Sequence, residues 1–346
     1  MRESSSRYAL LSNASFSVRL HRRSALVVSL GLLSLLALAL YSLTLGDYGL
    51  SIEQSLRRLV GDGGPTDDFL GVYFVQSVRL PRVIAAVAVG CSLGVAGAIF
   101  QTGNPLGSPD IVGLSTGCAT GALVAIIVLG ANPATTSAGA LIGGLASGAL
   151  IVACAGGVRV TGVRVVLVGI GCSAALRALN SLLIVKAPLE AAQRAQLWSA
   201  GSFAGVTMPR VSVLVVVLLA VSLPLAACTA PLGLLAMGDD VATGLGVRVR
   251  RLRVSLIATA MVLVSLATAV AGPVAFVALS APHVARRLCA GGGVGLASSA
   301  VLGGLLVLVS DVVAQRLLAP HELPVGVVTG VVGGVYLLFL LVREVR

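Results

Sequence analysis

The chain has little charge. Asp, Glu, Lys and Arg together make up 11% of its 346 residues, and aromatic residues only 4%. A water-soluble domain of this length needs far more polar surface, so that class is excluded. Lysine is nearly missing: of 24 basic residues only Lys186 is one, and it sits in "VKAPLE" with no glycine nest around it. No G-x-x-x-x-G-K-[ST] phosphate loop exists, so the chain is not its own P-loop ATPase. His21, His283 and His321 stand far apart, without an H-E-x-x-H pair, which leaves metal catalysis unsupported. The six cysteines (Cys91, Cys118, Cys154, Cys172, Cys228, Cys289) show no C-x-x-C and no ligand spacing. Each lies in or beside an apolar run and reads as a small buried hydrophobe. The net charge of +11 does not signal nucleic acid, because no basic stripe is interleaved with aromatics. No bound metal or cofactor is expected.

What is abundant is apolar and small. Hydrophobic residues reach 57%, with 42 glycines, and the mean hydropathy is +1.03. Small residues let membrane helices approach closely, so the chain is expected to be an all-α polytopic membrane protein. Residues 1–23 form a basic, polar tail, and residues 24–346 a single transmembrane domain. The run after Arg23, "SALVVSLGLLSLLALALYSL", is long enough for ~30 Å of hydrocarbon. The "ALA" at 37–39 resembles a signal-peptide cleavage site, but a cut there falls inside the run, which favours an uncleaved first helix. Further spans are expected near 83–101, 111–130, 138–155, 165–185, 211–230, 254–272, 274–290, 295–311 and 325–342. That makes about ten. The division at Gly272-Pro273 rests on a Gly-Pro step that breaks helices.

With the N-terminus on the cytoplasmic side, an even number of spans returns the C-terminus there. This arrangement puts 15 basic residues in inner segments and eight in outer ones, with Arg177 left inside a span, in keeping with the positive-inside rule. Two segments stand out. The outer loop 46–82 ends in "RLPR", placing Arg79 and Arg82 at the mouth of the second span, where they are expected to stay solvated and face outward. The inner loop 231–253, "PLGLLAMGDDVATGLGVRVRRLR", contains a helix-start pattern after Met237. In Gly238-Asp239-Asp240 the acids would sit at the positive end of the dipole. Val241, Ala242 and Leu245 make a small apolar face, and Gly246 is placed to stop the helix. A solvated, topology-setting loop is the alternative from composition alone. Asp311, Arg177 and Asp110 are the few ionisable residues in or near spans, and they read as helix-end or interface charges rather than a coupling-ion site. A membrane-embedded enzyme lacks a nucleophile, base or ligand cluster, whereas an ion-coupled carrier remains the competing transporter class.

Six ordered blocks carry a resemblance over residues 25–346. "RLPRVIAAVAVGCSLGVAGAIFQ" with "NPLGSPDIVGLSTGCATGA", then "LWSAGSFAG", "MGDDVATGLGVRVRRLR", "AGPVAFVALSAPHVARRL" and "ELPVGVVTGVVGG" resemble the FecCD family. These are permeases of ABC importers for iron–siderophore complexes, haem and vitamin B12. The chain departs from the pattern at Gln101-Thr102-Gly103-Asn104, where the approach to Asn-Pro-Leu is shorter and uncharged. Gly333-Gly334-Val335-Tyr336 resembles the enterobactin-type branch.

The resemblance implies the type II ABC importer permease fold and a bacterial plasma-membrane location. It also implies a division of labour. A second permease chain, expected to be a different one, completes the channel. Two cytoplasmic ABC ATPase subunits hold ATP and Mg, and an extracytoplasmic siderophore-binding protein delivers a ferric chelate, expected to be of catecholate, enterobactin-like type. Haem, hydroxamate siderophores and vitamin B12 are the alternatives within the class. On this resemblance, Arg79, Arg82 and Arg316 dock the binding protein, with ordinary interfacial anchoring as the bland alternative. Met237, Gly238, Asp239, Asp240, Ala242, Leu245 and Gly246 form the coupling segment for the ATPase. Gly272, Pro273 and Pro282 interrupt helices at a gate, while Asn180 and Gly330 lie on helices that line the path. His283 reads as a helix-packing residue.

Overall fold

Inside a bilayer no water is present to satisfy backbone N–H and C=O groups, so a chain of this composition must close its hydrogen bonds within helices. The computed structural model describes residues 8–13, 16–46, 49–61, 69–102, 107–156, 162–235, 237–289, 295–319 and 321–344. The Gly103-Asn104 turn, the acids Asp47, Asp62, Asp67 and Asp68, and Arg159 and Arg346 therefore lie outside the described residues. Within the N-terminal tail, β1 (Tyr8–Asn13) and β2 (Phe16–His21) form an antiparallel hairpin.

The helices follow in chain order. They begin with α1 (Arg22–Thr44), α2 (Ile52–Leu59), α3 (Phe69–Tyr73), a π-helical turn (Phe74–Arg79) and α4 (Leu80–Phe100). Next come α5 (Pro109–Val112), α6 (Leu114–Leu123) with a π turn to Val128, α7 (Pro133–Cys154), α8 (Gly162–Lys186) and α9 (Leu189–Ser199). After these come α10 (Met208–Ala227), α11 (Thr229–Leu235), α12 (Asp239–Gly244) and α13 (Val249–Ala271). The last three are α14 (Val277–Leu288), α15 (Leu296–Arg316) and α16 (Val325–Glu344).

All ten expected spans fall on helices. Among the described residues seven helices are long and apolar enough to cross a membrane, and Leu114–Val128 and Val325–Tyr336 are shorter apolar helices. The segment expected at 274–290 becomes α14, with only 12 residues, about 18 Å long. It is too short to span by itself.

The largest correction concerns the outer loop 46–82. Its second part is helical, so that Phe69–Phe100 runs as one 32-residue element. Pro81 has no N–H to donate and crowds the preceding turn. The π turn absorbs this, with the Leu80 N–H donating to the Val75 carbonyl instead of the usual partner four residues back. The first part of the loop is also helical: α2 is closed by a capping box between Ser51 and Gln54.

Glycine sets how these helices meet. α4 lies at the centre, antiparallel to α15, with α13 and α14 also packed on it. A Cβ at Gly90 would strike the Gly303 carbonyl, one at Gly94 the Ser299 carbonyl, and one at Gly97 the Ala278 carbonyl. The backbones therefore touch where two small-xxx-small rows face each other. A second glycine contact joins α6 to α7 through Gly117, Gly121, Gly139 and Gly143. The result is uneven burial: 78% of the window in Phe69–Phe100 is buried, but only 11% of that in Arg164–Lys186. The cysteines are all free. Cys118 and Cys289 are buried and Cys91, Cys172 and Cys228 half-buried, but Cys154 at the end of α7 is exposed, contrary to the expectation for all six.

Candidate functional site

The RLPR pair is not solvated. Because the helix continues through it, Arg79 is pressed between α4 and the end of α1. It is 7% exposed, and its Nη1 donates to the Leu43 carbonyl at 2.9 Å. That carbonyl belongs to the last turn of α1, where a cation meets the negative end of the helix. Arg82 is engaged even more fully. Its Nε and Nη2 donate to Asp311 at 3.0–3.2 Å, and its Nη1 donates to Glu322 at 2.9 and 3.1 Å. Gln315 Nε2 adds a bond to Asp311 at 2.8 Å. The Arg82 side chain is 13% exposed and that of Asp311 only 1%, whereas Glu322 is 49% exposed. Asp311 is thus half of a buried ion pair, not a helix-end charge. Of the three expected docking arginines, only Arg316 at the end of α15 is exposed.

The break at Gly272-Pro273 is real and tightly held. Gly272 ends α13 at φ 73°, ψ −175°, and a Cβ there would meet the Trp198 carbonyl. The Ser202 N–H donates to the Ala271 carbonyl at 2.7 Å and the Gly326 N–H to the Gly201 carbonyl at 3.2 Å. The elbow between α13 and α14 is therefore gripped by the segment after α9 and by the start of α16. Phe276, which opens α14, takes φ 65° and packs against Gly333 of α16.

Pro282 does not interrupt its helix, contrary to expectation: α14 runs straight through it. Proline there leaves the Ala278 carbonyl, four residues back, without its helical donor. Gln101 Nε2 takes that place, donating to Ala278 O at 3.4 Å and Leu279 O at 3.0 Å. Gln101 Oε1 in turn accepts from Arg286 Nη2. The sequence reading did not single out Gln101. The signal was present, since a proline inside a helix always frees a carbonyl, but its donor is remote in sequence. His283 on α14 is half-buried and engaged with its surroundings.

α12 forms where the loop pattern places it. Gly238 precedes it, and Asp239 and Asp240 fill its first turn. Val247 N–H bonds to Ala242 O and Gly246 N–H to Thr243 O, with Gly246 at φ 83°; this is a Schellman stop. Arg253 Nη2 donates to Asp239 Oδ1 at 2.8 Å, tying α12 to the start of α13. The expected single apolar face is divided. Ala242 turns inward and is fully buried, while Met237, Val241 and Leu245 are 69%, 44% and 63% exposed.

Asn180 and Gly330 lie on α8 and α16, both broadly open on the side away from the core. Among the described residues α8 sits mainly on α5, α6 and α7, and α16 on α14 and α15. Between them lies the elbow. An open cavity of about 330 Å³ there is lined by Ser108, Asp110, Ile170, Arg177, Phe276 and Leu279, among others. Asp110 and Arg177, read separately from the sequence as helix-end charges, therefore share one space.

Comparison with known proteins gives a consistent result. The FecCD transport family matches residues 34–343. The chain is 40% identical to the ferric enterobactin transport system permease protein FepG of Escherichia coli, covering 94% of this chain and 98% of that protein. It is 35% identical to the achromobactin transport system permease protein CbrC of Dickeya dadantii, over 92% and 91% of the two chains. Among solved structures, a metal-chelate type ABC transporter in an inward-facing conformation superposes with a TM-score of 0.81 at 28% identity, covering 92% of this chain and 99% of that one.

Proposed function

The chain belongs to the FecCD transport family, and from that premise we propose that it is the membrane permease of an ATP-driven importer for a ferric siderophore of catecholate, enterobactin-like type. The observation that carries this reading is the 40% identity to an enterobactin permease along nearly the full length of both chains. The parts fit the task. A transport subunit without a phosphate loop needs its energy from elsewhere, and two cytoplasmic ATPase subunits holding ATP and Mg supply it. α12 presents Met237, Val241 and Leu245 outward on a short, rigidly stopped helix, which suits insertion into a groove of such a subunit. The excess of basic residues on the α12 side supports cytoplasmic termini in a bacterial plasma membrane. A second, related permease chain covers the open faces of α8 and α16 as a heterodimer.

At the opposite end an extracytoplasmic binding protein docks. Arg316 is the arginine free to meet its carboxylates. Arg82 joins only by giving up Glu322, and Arg79 shapes the surface from beneath.

The test is radiolabelled-iron uptake in a strain lacking the chain, with and without its restoration. Uptake of ferric enterobactin is expected to return with the chain, while hydroxamate iron and haem iron are unaffected. Loss confined to one of those other chelates would replace the substrate class. Uptake that survives ATP depletion but collapses with an uncoupler would replace the ATP-driven importer with an ion-coupled carrier.

A further inference from the structure

Arg177 is poorly placed for a structural role. It stands 15 residues after the start of α8 and nine before its end, about 22 Å and about 14 Å along the axis. A guanidinium at such depth costs ~2.5–3.5 kcal/mol on insertion scales, and so faces a partner or a water-filled space. Its side chain is exposed and makes no hydrogen bond or ion pair among the described residues. The space it faces is the cavity beside the elbow.

Three further observations converge on that cavity and its helix. Asp110 lines it from α5: one carboxylate oxygen accepts from Ser115 Oγ, and the carboxylate also faces the backbone N–H of Phe276. Asn180 lies three residues beyond Arg177, on the same helix face, and its buried Oδ1 is without a partner among the described residues. Ser173, four residues before Arg177, is wholly buried and donates to the Ile111 carbonyl at 3.5 Å, which holds α8 against α5 beside the cavity. The cavity's third wall is Phe276, the one non-glycine residue at positive φ among the described residues. Such a conformation costs ~1–3 kcal/mol and tends to gather at ligand clamps and switches.

We propose that this cavity is an anion-binding station inside the translocation path, where Arg177 holds one catecholate arm of the ferric chelate and Asp110 tempers its grip. This rests on the substrate reading above. Six phenolate oxygens around trivalent iron leave the chelate triply negative, and the cavity has room for an arm, not for the whole. A guanidinium offers planar, charge-assisted donors to such oxygens. A lone cation in a low-dielectric site would hold the trianion too firmly, because conduction needs sites that admit the cargo and also let it go. The carboxylate on the adjacent wall supplies the opposing charge, and Asn180, one turn beyond Arg177, offers the arm its next polar group along α8.

Equilibrium dialysis of radiolabelled ferric enterobactin against the assembled transporter in nanodiscs tests this. Arg177→Gln is expected to weaken binding about tenfold, the loss of one charge-assisted hydrogen bond. Arg177→Lys, which keeps the charge but loses the planar fork, is expected to fall between wild type and Arg177→Gln. Asp110→Asn tightens binding about threefold and slows uptake, as removal of a repelling charge requires. Equal affinity in wild type, Arg177→Gln and Asp110→Asn overturns the station and leaves the substrate reading intact. A wild type that does not bind the chelate removes both. An Arg177→Gln protein recovered poorly as a complex, yet binding normally once assembled, makes Arg177 a subunit contact and also overturns the station. Should Arg177→Gln fail to assemble at all, Asp110→Asn decides alone: unchanged or weaker binding defeats the proposal.

Discussion

Arg82 and Arg177 each sit on a long apolar helix, yet the chain treats them in opposite ways. Arg82 spends its Nε, Nη1 and Nη2 on two carboxylates, one of them almost wholly buried. The Arg177 side chain makes no hydrogen bond or ion pair among the described residues. The first arginine ties α4, α15 and the segment before α16 together, and with its bonds completed inside the chain it acts as architecture. The second is left incomplete at a cavity on the least buried long helix. A charge left unpaired among the described residues, at an open cavity, is a charge available to something else.

The sharpest way to break this contrast is at Asp311. Replacing it with Ala leaves the Arg82 guanidinium in a site that is 13% exposed without its main counter-charge. Stripping one partner from a buried pair typically costs about 3–5 kcal/mol. Asp311→Ala is therefore expected to lower the unfolding transition in detergent by that amount, and Arg82→Ala with Asp311→Ala should recover part of the loss. A cost below about 1 kcal/mol, typical of solvated pairs, would show that water already satisfies Arg82 and would erase the distinction.

What the sequence allowed one to read follows the same division between local and remote. α12 was legible because its acids, its stop at Gly246 and its length are all set within ten neighbouring residues. The break at Gly272-Pro273 was legible for the same reason. The Arg82–Asp311 pair joins residues 229 apart in sequence, and no spacing rule reaches that far. Arg79 and Arg82 were misplaced because Gln76, Ser77 and Pro81 look like the end of a loop, while the chain carries its helix through them with a π turn. Gln101 needed two facts at once: the carbonyl freed by Pro282, and the backbone contact at Gly97 that brings α14 to it. Arg177 did announce itself as a lone cation in an apolar run. Its meaning depended on Asp110 and Phe276, which only the fold brings alongside.

A smaller effect is expected at the exposed arm of the Arg82 network. Glu322 is 49% exposed, so its pair with Arg82 is largely screened and worth less than about 1 kcal/mol. Glu322→Gln should shift the unfolding transition only slightly, and added salt should shrink the difference further. A loss as large as that of Asp311→Ala would mean that Glu322 is a structural clamp. It would then be unable to yield to a docking carboxylate, and Arg82 would drop out of the docking surface altogether.

The smallest effect is expected at Arg177 itself. Arg177→Gln should change the unfolding transition by no more than about 0.5 kcal/mol, as substitutions away from packed or paired groups do. The reasoning is a balance of two terms. The native side chain gains no ion pair that its removal forfeits, and a neutral amide in the same open cavity avoids the cost of an unpaired charge. A clear stabilisation would strengthen the comparison, since residues kept at the expense of stability are characteristic of functional sites. A destabilisation of several kcal/mol would instead reveal a partner for Arg177 within the fold, and the two arginines would then differ in location alone.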